Sequence, residues 1–151
     1  MPYRFKKDKE KWDEWWLQTK EGFFSTLWST MKKRCSPRYM KKQSPNRKIQ
    51  VNNGIKSKTH LLELWEKQKK LLGGPYCRYT GVELTMVRSR GKGFNGFTST
   101  NISIDRIDPN LPYQEDNIVF CSWEFNNTKG AVSPEDCKKI LKVYEEHRAR
   151  N

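Results

Sequence analysis

The chain has 151 residues, of which 34% are hydrophobic and 13% aromatic, and its formal charge is +13. That length suits one domain with an appended arm, and the small core must take its volume from large rings. So positive a surface attracts polyanions, nucleic acid first among them. An anionic membrane is the rival, but no apolar run approaches the ~18 residues of a spanning helix.

No apolar segment near Met1 reads as an export signal, so a cytoplasmic location is expected. The cysteines Cys35, Cys77, Cys121 and Cys137 are widely spaced and form no Cys-x-x-Cys pair. They are expected to be reduced, buried small side chains.

From about Lys9 to Arg34, Trp12, Trp15, Trp16, Phe23, Leu27 and Met31 recur at three- and four-residue intervals. The spacing predicts a helix whose aromatic stripe docks on the rest of the protein, with Gly22 as its weak point. Met31 to Lys48 then carries Lys32, Lys33, Arg34, Arg38, Lys41, Lys42, Arg47 and Lys48 without one carboxylate. Pro37 and Pro45 interrupt any continuous helix here. Such an unbalanced run fits phosphate contacts better than a salt-bridged face. Residues 1–56 are therefore expected to be a basic helical arm and linker, and residues 57–151 the folded domain.

Asn52-Asn53-Gly54 marks a turn. Ser57 or Thr59 can cap a helix through Leu61, Leu62, Trp65 and Gln68 to Leu72, which Gly73-Gly74-Pro75 stops. Pro75 to Leu84 reads as a short hairpin, or a strand and turn. Val87 to Thr100, with Arg88, Arg90 and Lys92, reads as a mobile basic loop able to lie along a nucleic-acid strand.

Asn101–Asp105 and Asn117–Cys121 are the two strands of a hairpin, joined by a polar loop. A short helix from Trp123 to Lys129 follows. Ser133-Pro134-Glu135-Asp136 starts a last helix with Cys137, Ile140, Leu141 and Tyr144 on one face.

A hairpin folded onto a helix would bring Asp105 and Asn126 together as two oxygen ligands for one hard cation. Magnesium sites acting on phosphates use such a pair and leave the other positions to water and substrate. A basic chain with that pattern points to a metal-dependent nuclease.

The segment Asp105 to Gly130 resembles the HNH endonucleases, whose core is a ββα-metal fold. Asp105 stands at that family's strand Asp, Asn117 at its loop Asn, Asn126 at its metal-binding Asn or His, and Lys129-Gly130 at its Lys-Gly. The Cys77-Arg78-Tyr79-Thr80-Gly81 and Ser103-to-Asp108 segments are similar to a phage-associated subgroup of small HNH-type proteins. The resemblance covers roughly Leu61 to Tyr144. It implies an α+β fold, a Mg2+ or Mn2+ cofactor held by Asp105 and Asn126, and duplex or branched DNA as substrate. Lys129 and the basic residues above would contact the DNA.

Two positions depart from the family pattern. Cys77 is followed by Thr80 and Cys121 by Glu124 where relatives complete two Cys-x-x-Cys pairs, so a structural zinc is not expected. Arg106 occupies the place of the general-base His, and a guanidinium with a pKa above ~12 takes no proton from water at neutral pH. It is instead suited to hold the scissile phosphate.

The base is then open between Asp108, two residues on, and direct activation of water by the metal; Asp108 also reads as a second metal ligand, or as a turn or cap residue before Pro109. His60 and His147 are expected at the surface. Asn117 is suited to close the hairpin loop through backbone hydrogen bonds. The rival functions are a DNA-binding scaffold that has lost cleavage and an RNA-binding module that stacks bases on exposed aromatics.

Overall fold

The computed structural model describes residues 19–41, 52, 54–87, 99–129 and 133–150. Helix α1 (Lys20–Arg34) begins where Thr19 Oγ1 accepts the Gly22 backbone N–H. Glu21 lies in its first turn and Lys32, Lys33 and Arg34 in its last, both favourable to the helix dipole. Gly22 lies in the first turn, so its low helix propensity interrupts nothing. The expected Trp12, Trp15 and Trp16 part of this helix falls outside the described residues. A single short helix, α2 (Pro37–Met40), follows, capped by Ser36 with Pro37 at its start.

Helix α3 (Lys58–Leu72) is capped by Ser57, whose hydroxyl accepts the His60 N–H, and ends at Gly73 with φ 76°. That left-handed residue is why the helix stops there. Leu61, Trp65, Gln68 and Leu72 form its buried stripe. The rings of Phe24, Trp65 and Phe120 meet at centroid distances of 6.2, 5.8 and 5.3 Å, and Phe24 is 0% exposed. Phe23, Phe24 and Met31 of α1 thus belong to the same core as Leu61, Ile104 and Phe120. The helix of the basic N-terminal region therefore docks on the rest of the protein, as its aromatic spacing predicts.

Between α3 and the hairpin, Tyr76 bridges Glu83, Cys77 N–H donates to Val82 O, and Gly81 turns the chain with φ 73°. Thr85 then bridges Asn101. Strand β1 (Ile102–Arg106) pairs antiparallel with β2 (Ile118–Ser122), with Ile104 opposite Phe120 and Asp105 opposite Val119. Both strands lie one residue later than the sequence pattern suggests. Asn101 is occupied instead by Val87, whose N–H and C=O its carboxamide meets, and Asn117 closes a turn through its N–H to Gln114 O.

The hairpin has two faces, because side chains alternate along each strand. Ile104 and Phe120 point toward α1 and α3. Ser103 and Asp105 point toward helix α4 (Trp123–Thr128) and the turn at Cys77–Gly81. Ser122 caps α4 by accepting the Phe125 N–H. Helix α5 (Pro134–Arg150) is capped by Ser133 and buries Cys137 and Leu141. Cys77 and Cys121 are buried thiols in the same core. The described residues give an α+β fold of five helices and one two-stranded antiparallel sheet.

Candidate functional site

Asp105 is set on the α4-facing side of β1 by strand alternation, and two groups hold its carboxylate. Its Oδ2 accepts a 2.6 Å hydrogen bond from the Tyr79 hydroxyl and lies 2.6 Å from Lys129 Nζ. The side chains of Lys129 and Asp105 are only 7% and 11% exposed. Lys129 Nζ also donates to Arg106 O at 2.6 Å, so the C-terminal cap of α4 is tied to the end of β1. Asp105 Oδ1 takes no hydrogen bond from the described residues. Burial and the Asp105 charge push the Tyr79 phenol far above its ordinary range, so it stays a donor. Its ring stacks on Phe125 of α4 at 4.7 Å.

Asn126 reaches the same side of the hairpin from α4. Its Nδ2 donates to Ser103 Oγ at 2.6 Å and to Ile104 O at 3.2 Å. Both amide hydrogens are therefore used, which fixes the carboxamide orientation and leaves Oδ1 as the free acceptor among the described residues. Asp105 and Asn126 thus offer two hard oxygens from two elements that share one face. Among the described residues, no group of three or more His, Cys, Asp or Glu is arranged to hold a metal. The donors present fit magnesium or manganese better than zinc, because such ions accept few protein oxygens and keep water.

Arg106, next on β1, turns to the other side. Its Nη1 donates to Leu111 O at 3.1 Å, and the guanidinium lies 4.9 Å from the centre of the Tyr113 ring. Its charge is also felt by Cys35 at the end of α1, where it opposes the upward shift that burial gives the thiol. Arg106 is therefore within electrostatic reach of the basic end of α1. Lys32 and Lys33 are exposed there, with Lys32 5.5 Å over the Trp28 ring. Lys33, Ser36, Arg38 and Tyr39 line a cleft of about 410 Å³. Arg34 is half-buried and Lys41 exposed. Lys42, Arg88, Arg90 and Lys92 fall outside the described residues.

Asn117 closes the loop between the strands. Its Oδ1 accepts Asp108 N–H at 2.9 Å, and its Nδ2 donates to Asp108 O and Pro112 O, each at 3.0 Å. Asp108 lies past the end of β1, so it shares no strand face with Arg106. Its Oδ1 accepts Asn110 N–H at 2.9 Å, the bond of a turn residue.

Two expectations need correction. His60 is not a surface residue: its side chain is 14% exposed, and Nε2 meets Glu115 Oε1 at 2.7 Å. Its Nδ1 accepts Lys56 N–H, which makes Nε2 the protonated nitrogen and leaves no lone pair for general-base work. Lys129, expected among the DNA contacts, is buried because Asp105 and the Arg106 carbonyl occupy its ammonium.

Tyr79 and Ser103 are the site residues that sequence reasoning missed. Ser103 was reachable, since it lies two residues before Asp105 on the same strand face. Nothing in the spacing links Tyr79 to a carboxylate 26 residues away. No helix among the described residues is long and apolar enough to cross a membrane. No protein-family model, curated protein or solved structure matches the chain.

Proposed function

We propose that this protein is a divalent-metal-dependent DNA endonuclease with an HNH-like ββα core, acting on duplex or branched DNA. The observation that carries the reading is that Asn126, its carboxamide orientation fixed by Ser103 and Ile104, reaches from α4 to the hairpin face on which Asp105 lies. Asp105 and Asn126 would hold Mg2+ or Mn2+, which when bound supplies charge stabilisation to a phosphodiester under attack. Arg106, held by Leu111 and Tyr113, has further guanidinium donors to offer a phosphate. Asn117 keeps the loop beneath it closed, and the exposed cations of α1 and α2 support the approach of a DNA backbone. His60 has no free nitrogen, so proton removal from the attacking water does not fall to it.

A second reading has its own observation. Lys129 already neutralises Asp105, and Arg106 stands in place of a base; both fit a scaffold that binds DNA without cutting it. Conversion of supercoiled plasmid with Mg2+ or Mn2+ separates the two. Cutting by wild type that Asp105→Ala loses is the expected result. Silence from wild type, with cutting gained by Arg106→His, would establish the binding scaffold instead.

A further inference from the structure

The ion pair inside the candidate site has a consequence for how a cation would enter it. Asp105 is buried against Tyr79, whose ring is itself covered by Phe125, so its carboxylate has little water to solvate it. A carboxylate in such surroundings needs a positive partner. Lys129 supplies one from the end of α4, its aliphatic stem reaching across so that the ammonium meets both Asp105 Oδ2 and Arg106 O.

We propose, resting on the metal-site reading above, that Lys129 is a resident counter-ion which a divalent cation displaces from Asp105. A doubly charged ion on Asp105 would sit within a few ångströms of the ammonium, and like charges that close in a shielded site repel strongly. Both therefore cannot occupy the carboxylate favourably. Binding exchanges one cation for the other: the metal takes the carboxylate, and Lys129 swings outward from Asp105. In the metal-free protein the same lysine keeps the hairpin and α4 docked.

Lys129 is then a positioning residue of an unusual kind, since it competes with the ion it makes room for. Linkage sets the consequence: a group that must leave weakens the metal by the factor that its own hold on Asp105 represents. Replacing it by an apolar side chain of similar length should tighten metal binding while loosening the metal-free fold.

The test is Mn2+ titration, by calorimetry, of wild type, Lys129→Met, Lys129→Gln and Asp105→Asn. Either Lys129 variant is expected to bind at least about fivefold more tightly than wild type, and Asp105→Asn to lose binding. Equal or weaker binding by a folded Lys129 variant would overturn the exchange while leaving the metal site standing. If neither wild type nor any variant binds Mn2+, the metal site itself is refuted and the exchange with it.

Should both Lys129 variants fail to fold, wild type alone decides through reductive methylation read by mass spectrometry. Lys129 should be protected without metal and modified when Mg2+ or Mn2+ is present. Protection that persists in saturating metal means that the cation uses Asp105 Oδ1 beside a stationary lysine, and the exchange is wrong.

Discussion

Gln68 acts toward Phe120 as a neighbouring strand would. Its Oε1 accepts the Phe120 N–H at 2.9 Å while its Nε2 donates to the Phe120 carbonyl at 2.8 Å. Nε2 also donates to Tyr76 O at 3.1 Å, so one side chain joins α3, β2 and the segment that leads to Tyr79. A two-stranded sheet leaves the outer edge of its second strand short of partners, and a buried edge needs them. The carboxamide of a helix fills that role here, and Arg78 N–H adds a further bond to the Phe120 carbonyl.

Gln68→Leu keeps the volume and removes all three bonds. The Phe120 N–H then stays buried without its acceptor, which costs about 2–4 kcal/mol when the lost bonds are counted with it. Urea unfolding should show a lower midpoint at unchanged slope. A change within about 0.5 kcal/mol would mean that water or a neighbouring group replaces the amide.

Phe24 of α1 tests whether the basic N-terminal region belongs to the domain. Phe24→Ala should cost about 3–5 kcal/mol, because the ring is enclosed by Trp65 and Phe120. A chain starting at Lys58 should likewise lack cooperative unfolding by heat or urea, since it exposes the Trp65–Phe120 contact. Sharp, reversible unfolding of that shorter chain would show that α1 is dispensable.

Local signals explain which parts of this arrangement are legible in the sequence. Ser57, Gly73 and Ser133 mark helix ends because caps depend on residues next to them in the chain. Asp105, Asn117 and Asn126 stand out because their spacing on a strand, loop and helix is short-range. The aromatic spacing correctly predicts that α1 docks. The role of Lys129 was misread because an isolated lysine reads as a surface cation until its carboxylate partner is placed 24 residues away. His60 was misread for a similar reason: Glu115, which holds it, is 55 positions distant. Long-range polar pairs leave no periodicity to read.

Asn117→Ala should loosen the hairpin loop more than it destabilises the whole chain. It removes one acceptor and two well-formed donor bonds from backbone groups of Asp108 and Pro112. Amide exchange of Asp108 should speed up by at least about tenfold, corresponding to roughly 1.4 kcal/mol of local opening. The amides of β2 beyond Phe120, bonded elsewhere, should change less. Uniform acceleration along both strands would show that Asn117 supports the global fold instead.

Tyr79 gives the molecule an alkaline limit. Its phenol ordinarily titrates at 10.0, and in the folded chain burial, the Asp105 charge and its hydrogen bond all push it upward. Burial also raises the thiols of Cys121 and Cys137. Each of these groups is neutral when protonated, so the native state holds protons that the unfolded chain releases first. Their stabilisation is complete below the unfolded pKa values and declines as pH rises through about 9 to 11. Tyr79→Phe should cost about 1.5–3 kcal/mol near neutrality, the range for a hydrogen bond to a charged group. Above about pH 10 the variant should lose stability less steeply than wild type, because one of the titrating groups is gone. Parallel stability curves for the two proteins across that range would show that Tyr79 ionises in the folded state as freely as in the unfolded one.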